Sequence, residues 1–207
     1  MKQVSWKSWI VGVAFMAMTP ISAHALTMQL GFILDRSGSI GSSDWGIITS
    51  GLSNAINLIP VAGVDTYEVS IVTFASTATI DANKVVIDSV ATRTGLVTAV
   101  ASYGYSGGAT NYADAFTKMT TALSGSTLSV DASFVNFATD GAPTTGGSSG
   151  ISNNQAGINA RKAATDAGVD NISIEGIGVT ASTASNLVTN YCFPGPCDLT
   201  SPYTFPT

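Results

Sequence analysis

The apolar run Gly31-Phe32-Ile33-Leu34 stops at Asp35-Arg36-Ser37-Gly38-Ser39, and helical spacing takes over from Ser43. A short apolar run without alternation is the pattern of a buried strand, and a strand that hands over at once to a helix belongs to a layered α/β structure. The handover loop carries one carboxylate and two hydroxyls separated by single residues. Three hard oxygen donors on one tight loop suit Mg²⁺ or a similar cation. The same residues also read as an ordinary strand-to-helix turn, with Ser and Asp capping the helix that follows. The choice depends on whether more oxygen ligands arrive at the same rim.

The rest of the chain repeats the alternation. Trp45, Ile48, Leu52, Ala55, Ile56 and Ile59 share one helical face, Ser43 and Asp44 suit its N-terminal end, and Pro60 and Gly63 stop it. Residues 67–74 are rich in β-branched and aromatic side chains, and 77–80 with 85–87, split by Asp81-Ala82-Asn83, predict a second extended region or a hairpin. Helices are expected over 90–101 and 112–123, the second with Tyr112, Ala115, Phe116, Met119 and Leu123 on one face. A strand over 133–139, a helix over 154–167, a strand over 172–179 and a short helix over 182–190 complete the series. Alternation of this kind predicts an α/β fold, an open, doubly wound and mainly parallel sheet with helices on both faces. The glycine-rich stretch 141–150 has no large side chain after Pro143 and reads as a mobile surface loop.

The first 25 residues stand apart. Lys2 and Lys7 form a positive start, residues 10–18 an apolar stretch too short to span a bilayer, and Ala23-His24-Ala25 a small-residue cleavage pattern after Pro20. This is the pattern of an export signal, with the mature chain expected to start at Leu26 and to be secreted, periplasmic or on the cell surface. Setting 25 of the 207 residues aside leaves 182, which suits one domain over 26–207 with a core over about 28–190 and a cysteine-containing tail over 191–207. Loss of the two lysines takes the formal charge from −5 to −7, so nothing favours a nucleic-acid partner. No other run of 18 apolar residues exists, so no membrane span is expected after cleavage.

His24 is the only histidine. Cleavage after Ala25 leaves a mature protein without imidazole, which removes Ser-His-Asp and Cys-His catalysis and His-ligated zinc or haem. Cys192 and Cys197 enclose Phe193-Pro194-Gly195-Pro196, and in an oxidising compartment a local disulfide is expected.

In a doubly wound sheet, ligands collect beyond the carboxyl ends of the strands where the strand order reverses. Two more oxygen-bearing loops fall at such places: Gly107-Gly108-Ala109-Thr110-Asn111 before the helix at Tyr112, and Thr139-Asp140-Gly141 after the strand at Ser133. Each alone is an ordinary turn. Together with the first loop, the chain resembles a von Willebrand factor type A domain, whose metal-ion-dependent adhesion site is built from D-x-S-x-S, a loop threonine and a later aspartate. The resemblance spans about residues 28–179 and is matched by Asp35, Ser37, Ser39, Thr110 and Asp140.

The resemblance implies that Ser37, Ser39 and Thr110 offer hydroxyls to a divalent cation, Mg²⁺ first with Mn²⁺ or Ca²⁺ as alternatives, while Asp35 and Asp140 act directly or through water. Mostly neutral ligands leave such a cation short of negative charge, so a carboxylate on a protein or surface partner can complete it. Arg36 and Asn111 are candidate rim contacts, or else a solvated arginine and a helix cap. Such domains usually end with a further strand and a helix that cover the sheet, and after residue 179 only the short helix is expected, so this cover should be incomplete. Two other readings stay open. One is an assembly subunit with a vestigial site; the other is a metal-assisted hydrolase using Ser37 or Ser39, which lacks a nitrogen base to activate the serine.

Overall fold

The computed structural model describes residues 25–195 and Cys197; the remainder of the expected leader and the tail after Cys197 lie outside the described residues. In chain order the elements are β1 (Thr27–Asp35), α1 (Gly41–Asn57), β2 (Thr66–Phe74), β3 (Ala78–Val86), α2 (Val90–Ala101), α3 (Tyr112–Leu123), β4 (Ala132–Thr139), α4 (Asn153–Asp166), β5 (Asn171–Gly176) and α5 (Ala181–Asn190). They build one five-stranded sheet in the order β3-β2-β1-β4-β5. β1 runs parallel to β2 and β4, β4 runs parallel to β5, and only β3 is antiparallel, at the edge beside β2. The expected doubly wound α/β fold is therefore present, and the strand order reverses at β1, whose carboxyl end is Asp35.

Strand alternation divides the core into two layers. Ile33, Val72, Phe74, Val135, Phe137 and Ile172 point to the face covered by α3, α4 and α5. Leu34, Val69, Ile71 and Ala138 point to the other, covered by α1 and α2. Over β4 and β5 this second face is thinly covered: Phe134 is 40% exposed, and Leu30 and Phe32 beside it are half-buried. α5 lies on the opposite face, where Leu187 and the following Tyr191 are buried. Among the described residues no strand follows β5; Phe193 exchanges two backbone hydrogen bonds with Ile172 at its outer edge, at 2.8 and 3.1 Å. Cys192 and Cys197 form the expected disulfide, with Cα atoms 5.8 Å apart. No helix among the described residues is long and apolar enough to cross a membrane.

Some elements differ in detail from the sequence pattern. The segment around Asp81 is one strand rather than a hairpin, because a register irregularity against β2 absorbs its polar residues. There the Asp81 carboxylate accepts from Thr73 N and Oγ1, and Ser70 Oγ accepts from Lys84 N. α1 starts at Gly41 with no side-chain cap, so Ser43 and Asp44 sit in its first turn, and Thr49 rather than Ala55 joins its buried face. β5 ends at Gly176, short of residue 179.

Candidate metal centre

Register fixes the floor of the site. Leu34 of β1 lies opposite Ala138 of β4, so the next residues, Asp35 and Thr139, stand side by side at the carboxyl end of the sheet. Both follow the parity of Ile33 and Phe137 and point toward the start of α3. Thr139 Oγ1 donates to Asp35 Oδ2 at 2.7 Å, and Ser37 N donates to Asp35 Oδ1 at 2.8 Å.

The five expected residues come together from three loops. Thr110 Oγ1 donates to Ser37 Oγ at 3.1 Å, Ser37 Oγ lies 3.3 Å from Ser39 Oγ, and Ser39 Oγ donates to Asp140 Oδ1 at 2.8 Å. Asp35, Ser37 and Thr110 are buried, Asp140 is half-buried and Ser39 is exposed, so the oxygen row climbs from a closed floor to an open mouth.

The loops are laced to one another through backbone. Gly38 N donates to Gly108 O and Gly107 N donates to Arg36 O, at 2.9 and 3.0 Å. Gly108 adopts φ +99°, and a Cβ there would meet Ser76 Oγ at 2.8 Å, so only glycine fits this crossing without strain. Ser76 Oγ also accepts from Ala109 N at 2.9 Å. The stretch 141–150, expected to be a mobile loop, is pinned instead. Thr144 N and Thr145 N donate to Thr110 O, Thr144 Oγ1 accepts from Thr110 N, and Gly147 N donates to Asn153 Oδ1. Asn111 is the helix cap of the two roles open to it, its Oδ1 accepting from Asp114 N at 3.1 Å while Nδ2 donates to Ser76 O. Arg36 turns to Gly104 O at 3.4 Å, and its Nε is buried without a partner.

Electrostatically the site is short of positive charge. Burial pushes the Asp35 carboxyl above its ordinary value, opposed by the hydrogen bonds from Ser37 and Thr139, and the nearby Asp140 charge adds to the rise. Burial also raises Asp140, against the hydrogen bond from Ser39. The one ion pair among the described residues, Lys162 with Asp166 on α4, takes no part. Among the described residues no group of three or more His, Cys, Asp or Glu gathers anywhere, since hydroxyls form most of this donor set. Two carboxylates without a protein cation, beside three hydroxyl oxygens, suit a hard divalent ion, and Asp35, Ser37, Ser39, Thr110 and Asp140 are the residues that could hold one.

Two residues at the site were not singled out for it in the sequence. Thr139 was only part of a turn and Tyr112 only part of an apolar helix face. Tyr112, at the start of α3, is fully buried with its hydroxyl 2.8 Å from Thr139 Oγ1 and donating to Gly141 O. Burial pushes the phenol well above its ordinary value, so it remains a hydrogen-bond donor.

An open, mainly parallel sheet flanked by helices, with a row of side-chain oxygens at its strand-order reversal, sets the class of this protein. The chain belongs to the von Willebrand factor type A domain family, whose profile matches residues 29–197. Solved structures of the same fold include the open conformation of the pilus adhesin SpaC from Lactobacillus rhamnosus GG, at 16% identity and TM-score 0.65, covering 79% of this chain and 26% of that one. Proximal thread matrix protein 1 from the mussel byssus, with a zinc-occupied MIDAS motif, is 19% identical with TM-score 0.59 over 79% of this chain and 39% of its own. Manganese-loaded TRAP of Plasmodium vivax is 16% identical with TM-score 0.58, over 80% and 63%. At these identities the likeness is one of fold, and the chain spans well under half the length of the adhesin and the thread protein. No curated protein matches it.

Proposed function

We propose that the chain is an exported, non-enzymatic adhesion-type module that engages a protein or surface ligand through a divalent cation held by Asp35, Ser37, Ser39, Thr110 and Asp140. The observation that carries this reading is Asp35, fully buried with no cationic side chain to compensate it, at the base of a row of hydroxyl and carboxylate oxygens. A bound cation would supply the missing positive charge and, with mostly neutral ligands around it, attract one more anionic oxygen. Mg²⁺ suits the all-oxygen set best, with Mn²⁺ or Ca²⁺ as alternatives, and a partner carboxylate suits the open mouth at Ser39. Support for a divalent cation comes from the manganese-loaded and zinc-occupied proteins of the same fold, and support for an adhesive role from the pilus adhesin among them. Support for export comes from the leader pattern and the disulfide.

A hydrolytic reading gains nothing from the geometry, since Ser37 and Ser39 hydrogen-bond only to oxygen and no histidine stands among the described residues. The test is calorimetric titration of the protein, stripped with chelator, against Mg²⁺, Mn²⁺ and Ca²⁺. One saturable site that disappears in Thr110→Ala is expected. No binding heat with any of the three ions would leave the vestigial, assembly-type reading in its place.

A further inference from the structure

Resting on that cation reading, we propose that Tyr112 is a positioning residue for it: its hydroxyl, locked in a cage of rings, ties both flanks of Asp140 to the Asp35 carboxylate and fixes the carboxylate spacing before a cation arrives. The cage is complete. Phe74, Phe137 and Tyr191 meet the Tyr112 ring edge-to-face, with centroids 5.8, 4.8 and 5.1 Å away. Tyr191 is itself held, its hydroxyl 2.9 Å from both Asn154 O and Asn154 Oδ1. The fourth side is closed by Gly157 of α4, where a Cβ would lie 2.6 Å from the Tyr191 hydroxyl and 2.9 Å from Tyr112 Cβ. A ring so enclosed has one place for its oxygen.

That oxygen reaches only the site. One partner is Thr139 and the other is the carbonyl of Gly141, the two chain neighbours of Asp140. Thr139 passes the link on by donating to Asp35. A carboxylate and a carbonyl can only accept, so two hydrogens serve the three contacts from Gly141 to Asp35: Thr139 gives its own to Asp35, and the phenol shares its one between Gly141 O and Thr139 Oγ1. Phenylalanine would fill the same cage, and a polar atom placed deep among rings is costly unless it is hydrogen-bonded. The hydroxyl's contribution is therefore to the loops and not to packing. Outer partners that orient metal ligands commonly govern affinity by about 10- to 100-fold.

The experiment compares wild type, Tyr112→Phe, Thr139→Val and Thr139→Ser by Mg²⁺ and Mn²⁺ calorimetry, with melting in chelator alongside. Tyr112→Phe is expected to melt close to wild type in chelator yet bind cation about 10- to 100-fold more weakly. Thr139→Val should match it, Thr139→Ser should restore affinity, and the double variant Tyr112→Phe/Thr139→Val should be no weaker than Thr139→Val alone, since both break one strut. If wild type binds cation and Tyr112→Phe binds it within about twofold, the positioning role is overturned while the cation site stands. If Tyr112→Phe does not fold, Thr139→Val decides, and wild-type affinity there overturns the role. If wild type binds no cation, the functional reading falls and this inference with it.

Discussion

Replacing Asp35 by Asn removes a fully buried negative charge and keeps the side chain's shape. Every existing hydrogen bond can be redrawn, with one N–H of the introduced amide left over. The oxygen of the introduced amide accepts from Ser37 N, its NH₂ group donates to Thr139 Oγ1, Thr139 turns its own hydrogen to Tyr112, and Tyr112 donates to Gly141 O. What changes is that no charge is left that needs a cation. A buried group lacking its full complement of partners costs about 1–3 kcal/mol, so Asp35→Asn should stabilise the cation-free protein by about 1–2 kcal/mol. For a domain of this size that is roughly 2–8 °C in melting temperature. In saturating Mg²⁺ the order should reverse. Ligand at about 100 times its dissociation constant adds about 2.7 kcal/mol to the wild type and nothing to a variant that does not bind. Melting followed by near-ultraviolet circular dichroism, in chelator and in Mg²⁺, reads both halves. A variant less stable than wild type in chelator, or one that gains as much from Mg²⁺, would show that Asp35 carries no uncompensated charge.

Three further outcomes are expected. Burial raises the folded-state pKa of Asp35 above the ordinary 3.8, so its stability contribution is fully present below 3.8 and is lost as pH rises through the raised value. In chelator, the melting temperature of wild type minus that of Asp35→Asn should therefore fall as pH rises above the ordinary carboxylate value, and a flat or rising difference would contradict this. Gly108→Ala forces a side chain into φ +99° against Ser76 Oγ and should cost about 1–3 kcal/mol in chemical denaturation while weakening cation binding. Cys192→Ser with Cys197→Ser should cost about 2 kcal/mol of stability by the chain-entropy estimate for so short a loop, leaving cation affinity unchanged in titration.

The five oxygen-bearing residues were legible because each sits at a strand end or helix start that local patterns mark: an apolar run before Asp35, glycines before Thr110, a strand before Asp140. The sheet class was legible from the alternation of elements. Tyr112 and Thr139 were hidden for a physical reason. The tyrosine's spacing on α3 assigns it correctly to the core, and nothing local says where its hydroxyl ends. Its partner is set by the register of β1 against β4, a pairing of residues 104 positions apart in the case of Asp35 and Thr139. The pinning of 141–150 was hidden likewise, since small polar residues read as free until Thr110 supplies its carbonyl and amide. At β3, a bulge held by Asp81 and Ser70 let polar residues remain inside one strand, which period-two patterning does not anticipate.

Whether a divalent ion sits among these five residues is decided by anomalous diffraction from crystals grown in Mn²⁺. One strong anomalous peak is expected at bonding distance from Ser37 Oγ, Ser39 Oγ and Thr110 Oγ1, beside the Asp35 and Asp140 carboxylates, and it should be lost in Asp35→Asn crystals. An ordered site with no peak there, or a peak held by other residues, would contradict the cation reading.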